Sequence, residues 1–225
     1  MQITWYGHSC FLLENDAGIR ILTDPCDPDT GYALPSIPAD IVTISHNHSD
    51  HNCVSVASGE PAVISDPGVH AAHGISVTGF PAWHDDANGR KRGANILYRF
   101  ELDGVRVLHL GDLGHALDRS FAESIGRVDV LLCPIGGVFT IDAAQAAAVA
   151  NLLEPRVFIP MHYATPQLRF DVGGLDALLR QVKTYSVHRL NSSTCSLSPE
   201  TLGERRVLIL DYAIGQPGSE SLRRP

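Results

Sequence analysis

Apolar positions recur along the first half of the chain in short runs with β-rich chemistry. Residues 3–14 form one such run, which stops at Asn15-Asp16-Ala17-Gly18, a turn signal. Residues 19–23 supply the second arm of a hairpin and end at Asp24-Pro25. A loop rich in Pro, Asp and Gly follows over 26–39. Residues 41–44 are continuously apolar, which suits a fully buried strand. Short strands are predicted over 62–64, 75–80, 95–102 and 105–110, the last two flanking the hairpin dipeptide Asp103-Gly104. The second half changes character. Strands over 128–132 and 156–160 enclose a helix over 141–153, rich in Ala, Gln and Leu. A second helix over 174–184 is amphipathic through Leu175, Leu178, Leu179 and Val182, and a last strand covers 206–212. The pattern predicts one domain over 1–214 and a flexible tail over 215–225, where Gly, Pro, Ser and Arg dominate. Hairpins followed by strand–helix alternation predict sheets covered by helices; the pattern does not choose between a sandwich and a doubly wound sheet.

Composition narrows the partners more than the fold. With 225 residues, 44% of them hydrophobic, the chain can bury a large core. The net charge is −8 and no Lys/Arg stripe exists, so nucleic acid is an unlikely partner and a small-molecule substrate is expected. The basic spot Arg90-Lys91-Arg92 reads as a solvated turn, with a contact for an anionic substrate as the alternative. No apolar run is long enough for a membrane span, and the first residues lack the pattern of a secretion signal. A cytoplasmic protein is the expectation. Five scattered cysteines without a Cys-x-x-Cys pair argue against both a disulfide framework and a cysteine zinc site.

The chemistry concentrates in Thr43-Ile44-Ser45-His46-Asn47-His48-Ser49-Asp50-His51. A buried strand delivers the chain to a loop with four metal-competent side chains. Imidazole and carboxylate suit zinc, manganese, iron or nickel. His46 and His48, two apart, face the same way in an extended segment, and Asp50 and His51 follow where the chain turns back. Four ligands in six residues exceed what one open catalytic metal takes from one segment, so two metals divide them more naturally. The bland alternative is a histidine-rich surface loop.

The His-x-His-x-Asp-His segment resembles the signature of the metallo-β-lactamase superfamily. That resemblance implies an α+β fold, the four-layer αββα sandwich, with one or two metals at one rim. It implies three further ligands in chain order: His84 in Trp83-His84-Asp85, Asp112 in Gly111-Asp112, and His162 in Pro160-Met161-His162-Tyr163. Gly7-His8-Ser9 and Pro134-Ile135-Gly136-Gly137 narrow the likeness to a compact branch of metal-dependent hydrolases related to L-ascorbate-6-phosphate lactonases. Two divalent ions are implied, zinc first, with manganese, nickel or iron possible. His46, His48 and His84 would hold one, Asp50, His51 and His162 the other, and Asp112 would bridge them. A bridging hydroxide would then attack a lactone, ester or phosphoester. Asp50, Asp112, His8 and His115 are the candidate catalytic groups. Asp24 is a candidate to hydrogen-bond a ligand histidine, while His109 reads as structural. Self-association is a possibility the same resemblance raises. The competing readings are a di-iron oxidoreductase and a non-catalytic metal-binding protein.

Overall fold

The computed structural model describes residues 1–213; the tail predicted over 215–225 lies outside them. The first sheet begins with hairpins. β1 (Gln2–Gly7) pairs antiparallel with β2 (Cys10–Glu14), which pairs with β3 (Arg20–Thr23). The run predicted as one strand over 3–14 is therefore two. Gly7 at φ 99° and His8 at φ 49° reverse the chain between them, in a left-handed region that only glycine enters freely. A Cβ on Gly7 would stand 2.4 Å from the Tyr32 ring, so the turn needs that glycine twice over. The result is that His8 caps the end of the sheet instead of alternating along a strand.

Next come β4 (Ile37–Pro38), β5 (Ile41–Thr43), β6 (Ala57–Ser58) and β7 (Ala62–Ile64). β3, β5 and β7 run parallel, and β4 pairs only with β6. All of β5 is buried, as its continuous apolar run predicts. Ile21 and Ile41 join the main core, whereas Leu22 and Val42 join a second cluster with Cys10 and Ile37. That is the period-2 alternation of a strand covered on both faces.

The second sheet opens as a meander of β8 (Gly68–Ala72), β9 (Ile75–Trp83), β10 (Ala94–Leu102) and β11 (Val105–His109). Asp103 (φ 50°) and Gly104 (φ 76°) make the predicted tight turn. Thereafter α1 (Arg119–Ile125) leads to β12 (Val130–Pro134), and α2 (Ala143–Leu153) to β13 (Val157–Met161). α3 (Leu175–Leu179), β14 (Ser186–Arg189), β15 (Thr194–Ser196) and β16 (Arg206–Ile209) complete the described elements. α2 starts at a capping box in which Asp142 and Gln145 satisfy each other's backbone N–H. α3 is shorter than the 174–184 helix predicted: Arg180 keeps helical dihedrals, but beyond it the helical ladder gives way to turns, with Gln181 N–H donating to Leu178 O and Lys183 N–H to Gln181 O. β14 escaped prediction because all four of its residues are exposed.

One sheet has the order β15-β1-β2-β3-β5-β7, the other β14-β16-β13-β12-β11-β10-β9-β8. Trp5, Phe11 and Leu13 of the first share a core with Val77, Leu97 and Phe100 of the second. α2 lies against β12 and packs on α1 and α3. This is the α+β sandwich expected. Over the smaller sheet the outer layer is thin: Leu34, Val54, Val56 and Ala57, from loops, a 3-10 turn and the β4–β6 pair, cover the second cluster. No helix of the described residues is long and apolar enough to cross a membrane.

Candidate metal centre

Strand ends deliver the site. His46 follows β5, His84 follows β9, Asp112 follows β11 and His162 follows β13, while His8 sits in the β1–β2 turn. Parallel neighbours end at one rim, so residues far apart in sequence meet there. Two sets of donor atoms result. His46, His48 and His84 form one set, and His8, Asp50, His51 and His162 the other, with ligand atoms within 4.8 Å of one another in each. Asp112 stands between them. Its Oδ2 is 3.5 Å from His84 Nε2 and 3.2 Å from His162 Nε2, and its Oδ1 is 3.3 Å from His51 Nε2.

Hydrogen bonding assigns the tautomers. The Asp24 carboxylate is fully buried. Its Oδ1 accepts from Ser45 N–H at 2.8 Å, and its Oδ2 accepts from the Ser45 hydroxyl at 2.5 Å and from His51 Nδ1 at 2.8 Å. The Ser45 hydroxyl has one proton, already given to Asp24, so at 2.9 Å from His46 Nδ1 it can only accept. Both rings therefore carry a proton on Nδ1 and aim Nε2 into the cavity. Those two Nε2 atoms are buried without a hydrogen-bond partner. One carboxylate thus orients a candidate ligand in each set. Burial would raise the Asp24 pKa, but the His51 hydrogen bond and the charges of His109, His51 and His46 outweigh it and hold it below the usual range.

The backbone is shaped around these side chains. Asn95 Oδ1 accepts from Asp112 N at 3.0 Å, and its Nδ2 donates to Leu110 O at 2.9 Å, which fixes the turn carrying Asp112. Gly111 (φ 51°) lets that turn press on its neighbours, since a Cβ there would lie 2.4 Å from Asn95 Oδ1 and 2.5 Å from Ser45 Cβ. Asp85 ties down the loop after His84, accepting backbone N–H groups of Ala87, Gly89, Lys91 and Arg92 at 2.7–2.9 Å. Asn95, Ser45 and Asp85 carry no sequence signal of this kind; only their partners reveal it.

Not every predicted residue converges. His8 does: its Nε2 lies 3.2 Å from Asp50 Oδ2, and its ring sits 4.2 Å from that of His162. His115 does not: Nδ1 donates to Ala116 O at 2.8 Å and Nε2 accepts from Trp83 N at 3.3 Å, so both nitrogens serve the backbone outside the cavity. Both nitrogens of His109 are likewise used, by Ser9 O and Gly111 N. The cavity over the centre, about 380 Å³, is lined by His48, Asp50, His84 and Asp112 together with Asp27, Asp29, Ser49, Arg92, Phe139 and Phe170.

The donor set fits divalent cations. Buried polar atoms without partners each cost about 1–3 kcal/mol. Among the described residues, seven of the nine such side-chain atoms belong to His8, His46, His51, His84, Asp112 and His162. An imidazole must be neutral to ligate. Burial, reinforced by nearby imidazoles, lowers the pKa of His46 to about 3 and of His8 to about 4, whereas at His51 Asp112 and Asp24 outweigh burial and raise the pKa well above its ordinary value, so ligation there displaces a proton. For Asp112, the charges of His162 and His51 overcome burial and hold the carboxyl well below its ordinary value, so it is ionised.

Residues 2–162 match the model of the Beta-lactamase superfamily domain. The chain belongs to the metallo-β-lactamase superfamily. A metal-dependent hydrolase from Archaeoglobus fulgidus is 33% identical over 196 residues, 73% of this chain and 84% of its own. One from Methanoculleus marisnigri is 31% identical over 91% of this chain and 100% of its own. A Thermotoga maritima crystal structure, assigned to zinc-dependent hydrolases of this superfamily, superposes with a TM-score of 0.77 at 39% identity, covering 93% and 97% of the two chains. Like these relatives, this superfamily member is a metal-dependent hydrolase. The di-iron β-hydroxylase CmlA from Streptomyces venezuelae, at 16% identity and a TM-score of 0.55, shares the fold alone.

Proposed function

We propose that the chain holds two divalent cations, zinc first among zinc, manganese, iron and nickel, and hydrolyses a small lactone, ester or phosphoester. His46, His48 and His84 would hold one ion, Asp50, His51 and His162 the other, with Asp112 shared. The observation that carries the reading is the position of Asp112, whose Oδ2 lies within 3.5 Å of one histidine from each set. When bound, the cations lower the pKa of a coordinated water to about 7 and polarise the substrate oxygen.

The chain's own groups do the rest. Asp24 keeps the Nε2 atoms of His46 and His51 aimed inward. His8 holds Asp50 through its Nε2 and braces the His162 ring. Asp50, half-buried on the cavity wall, is the carboxylate placed to accept the proton of the attacking water and return it to the leaving oxygen. His48 is exposed at the mouth, so that side is the approach for substrate. His115 has no part in this scheme. A di-iron oxidoreductase would instead show a visible absorption band of bound iron; no contact in the site favours it.

The test is the double variant His46→Ala/His48→Ala. Elemental analysis should show the loss of at least one ion per chain, and turnover on a panel of lactones, esters and phosphodiesters should disappear. Unchanged metal content would refute the ligand assignment. Asp112→Ala with full activity would refute the shared carboxylate.

A further inference from the structure

The cavity has a second chemistry beside its metal ligands. Arg92 lines it, and among the described residues its guanidinium has no carboxylate partner. Instead the guanidinium carbon lies over the Phe139 ring, 5.0 Å from its centre. The Phe139 and Phe170 rings lie 6.1 Å apart and perpendicular, and Phe170 in turn meets His8 edge-on at 5.7 Å. Phe139 is 37% exposed, a large apolar ring left open at the cavity. Arg92 is held from behind: its backbone N–H donates to Asp85 at 2.7 Å, one residue from the ligand His84. A cation fixed at its backbone, braced over a ring and lacking a counter-ion is preorganised for an incoming anion. Its planar fork matches carboxylate or phosphate geometry. A cavity of about 380 Å³ also holds only a small molecule.

We propose that the substrate carries an anionic group next to a flat or apolar portion, the anion taken by Arg92 and the flat portion by Phe139 and Phe170. This rests on the hydrolase reading of the same centre. It makes Arg92 and Phe139 specificity residues, and turns the basic 90–92 turn from a solvated feature into one with a single working member. Arg90 and Lys91 are spoken for elsewhere: Arg90 donates to Ala87 O at 3.0 Å, and Lys91 pairs with Asp86 at 2.6 Å. Asp27 and Asp29 line the same cavity, so a cationic ligand is the outcome to be excluded.

The experiment uses zinc-loaded protein and three thiols that anchor on the metals and differ only at the far end of the ring: 4-(mercaptomethyl)benzoate, its neutral amide and its benzylamine analogue. Binding is read by calorimetry and metal content by elemental analysis. The benzoate should bind about tenfold tighter than the amide, the size of one charge-assisted pair. Arg92→Gln should erase that preference with bound metal unchanged, and Arg92→Lys should restore part of it. Phe139→Ala should weaken all three ligands. Equal affinities in the wild type, a preference that survives Arg92→Gln, tighter binding of the amine, or no binding to a metal-loaded chain would each overturn the proposal. A chain that takes up no metal overturns the hydrolase reading as well, and the metal analysis distinguishes the two failures.

Discussion

Asp24→Asn tests the tautomer argument in isolation. The side chain keeps its shape, and asparagine is among the few residues that tolerate the positive φ of 40° found there. Its one remaining oxygen can still accept from Ser45 N–H. The other end becomes an NH₂ donor facing the Ser45 hydroxyl and His51 Nδ1, where the carboxylate had been the acceptor. His51 must then accept at Nδ1 and carry its proton on Nε2, the atom that faces Asp112 at 3.3 Å and should hold a metal. The Ser45 hydroxyl, no longer drawn to Asp24, is free to donate to His46 Nδ1, which moves that proton to Nε2 as well. Losing such an orienting partner costs metal affinity about 10–100-fold, or roughly 1.4–2.7 kcal/mol. Because one ligand in each set is affected, both ions should weaken, towards the upper end of that range. The assay is competition with a chromogenic chelator, with circular dichroism confirming the fold. Affinities for both ions within twofold of wild type would refute the tautomer assignment. Asp24→Ala is the harsher companion: it strands the Ser45 N–H and His51 Nδ1–H, two buried donors at about 1–3 kcal/mol each, and should lower stability by about 2–6 kcal/mol in denaturant unfolding.

Other perturbations probe separate links. Gly111→Ala places a Cβ against Asn95 and Ser45 at a left-handed φ, so denaturant unfolding should show a loss of at least about 2 kcal/mol, with bound metal falling as Asp112 shifts. Stability and metal content both unchanged would contradict the crowding. Asp142→Ala removes the N-cap of α2 and should lower stability by about 1 kcal/mol in urea titration while metal content stays constant; a metal effect would mean the helix helps set the site. Asp40 supplies a pH signature away from the centre. Burial would raise its pKa, but Arg20, donating N–H at 2.8 Å and Nε–H at 3.3 Å, outweighs that and depresses it. The stability it contributes is therefore present above the unfolded carboxylate pKa of about 3.9 and lost as pH falls through the lower folded value. Asp40→Asn should remove that contribution at neutral pH and flatten the acid limb of the stability curve; an unchanged acid limb would contradict the assignment.

Local chemistry made part of this protein legible in one dimension. Residues 46–51 act through neighbours one to five positions away, and a buried apolar strand leading into them is visible as an unbroken run at 41–44. Asp103-Gly104 and the 141–153 helix are equally local, because dihedral preference and capping act over a few residues. His84, Asp112 and His162 could be named only by likeness to a family, since nothing in their own surroundings marks them as ligands. Tertiary structure alone decided the remainder. The break at Gly7-His8, where the Tyr32 ring leaves no room for a Cβ on residue 7, brings His8 to Asp50, 42 positions away. Asp24, Ser45 and Asn95 gain their contacts from hydrogen bonds that close over the sheet rim, and His115 stays apart from the cavity with both nitrogens on the backbone of Ala116 and Trp83. Arg92 becomes distinct from Arg90 and Lys91 only when Phe139 folds beneath it. The physical reason is common to all of these: a side chain's charge state, tautomer and free valence are set by the atoms around it in space, and those come from segments that the linear order keeps apart.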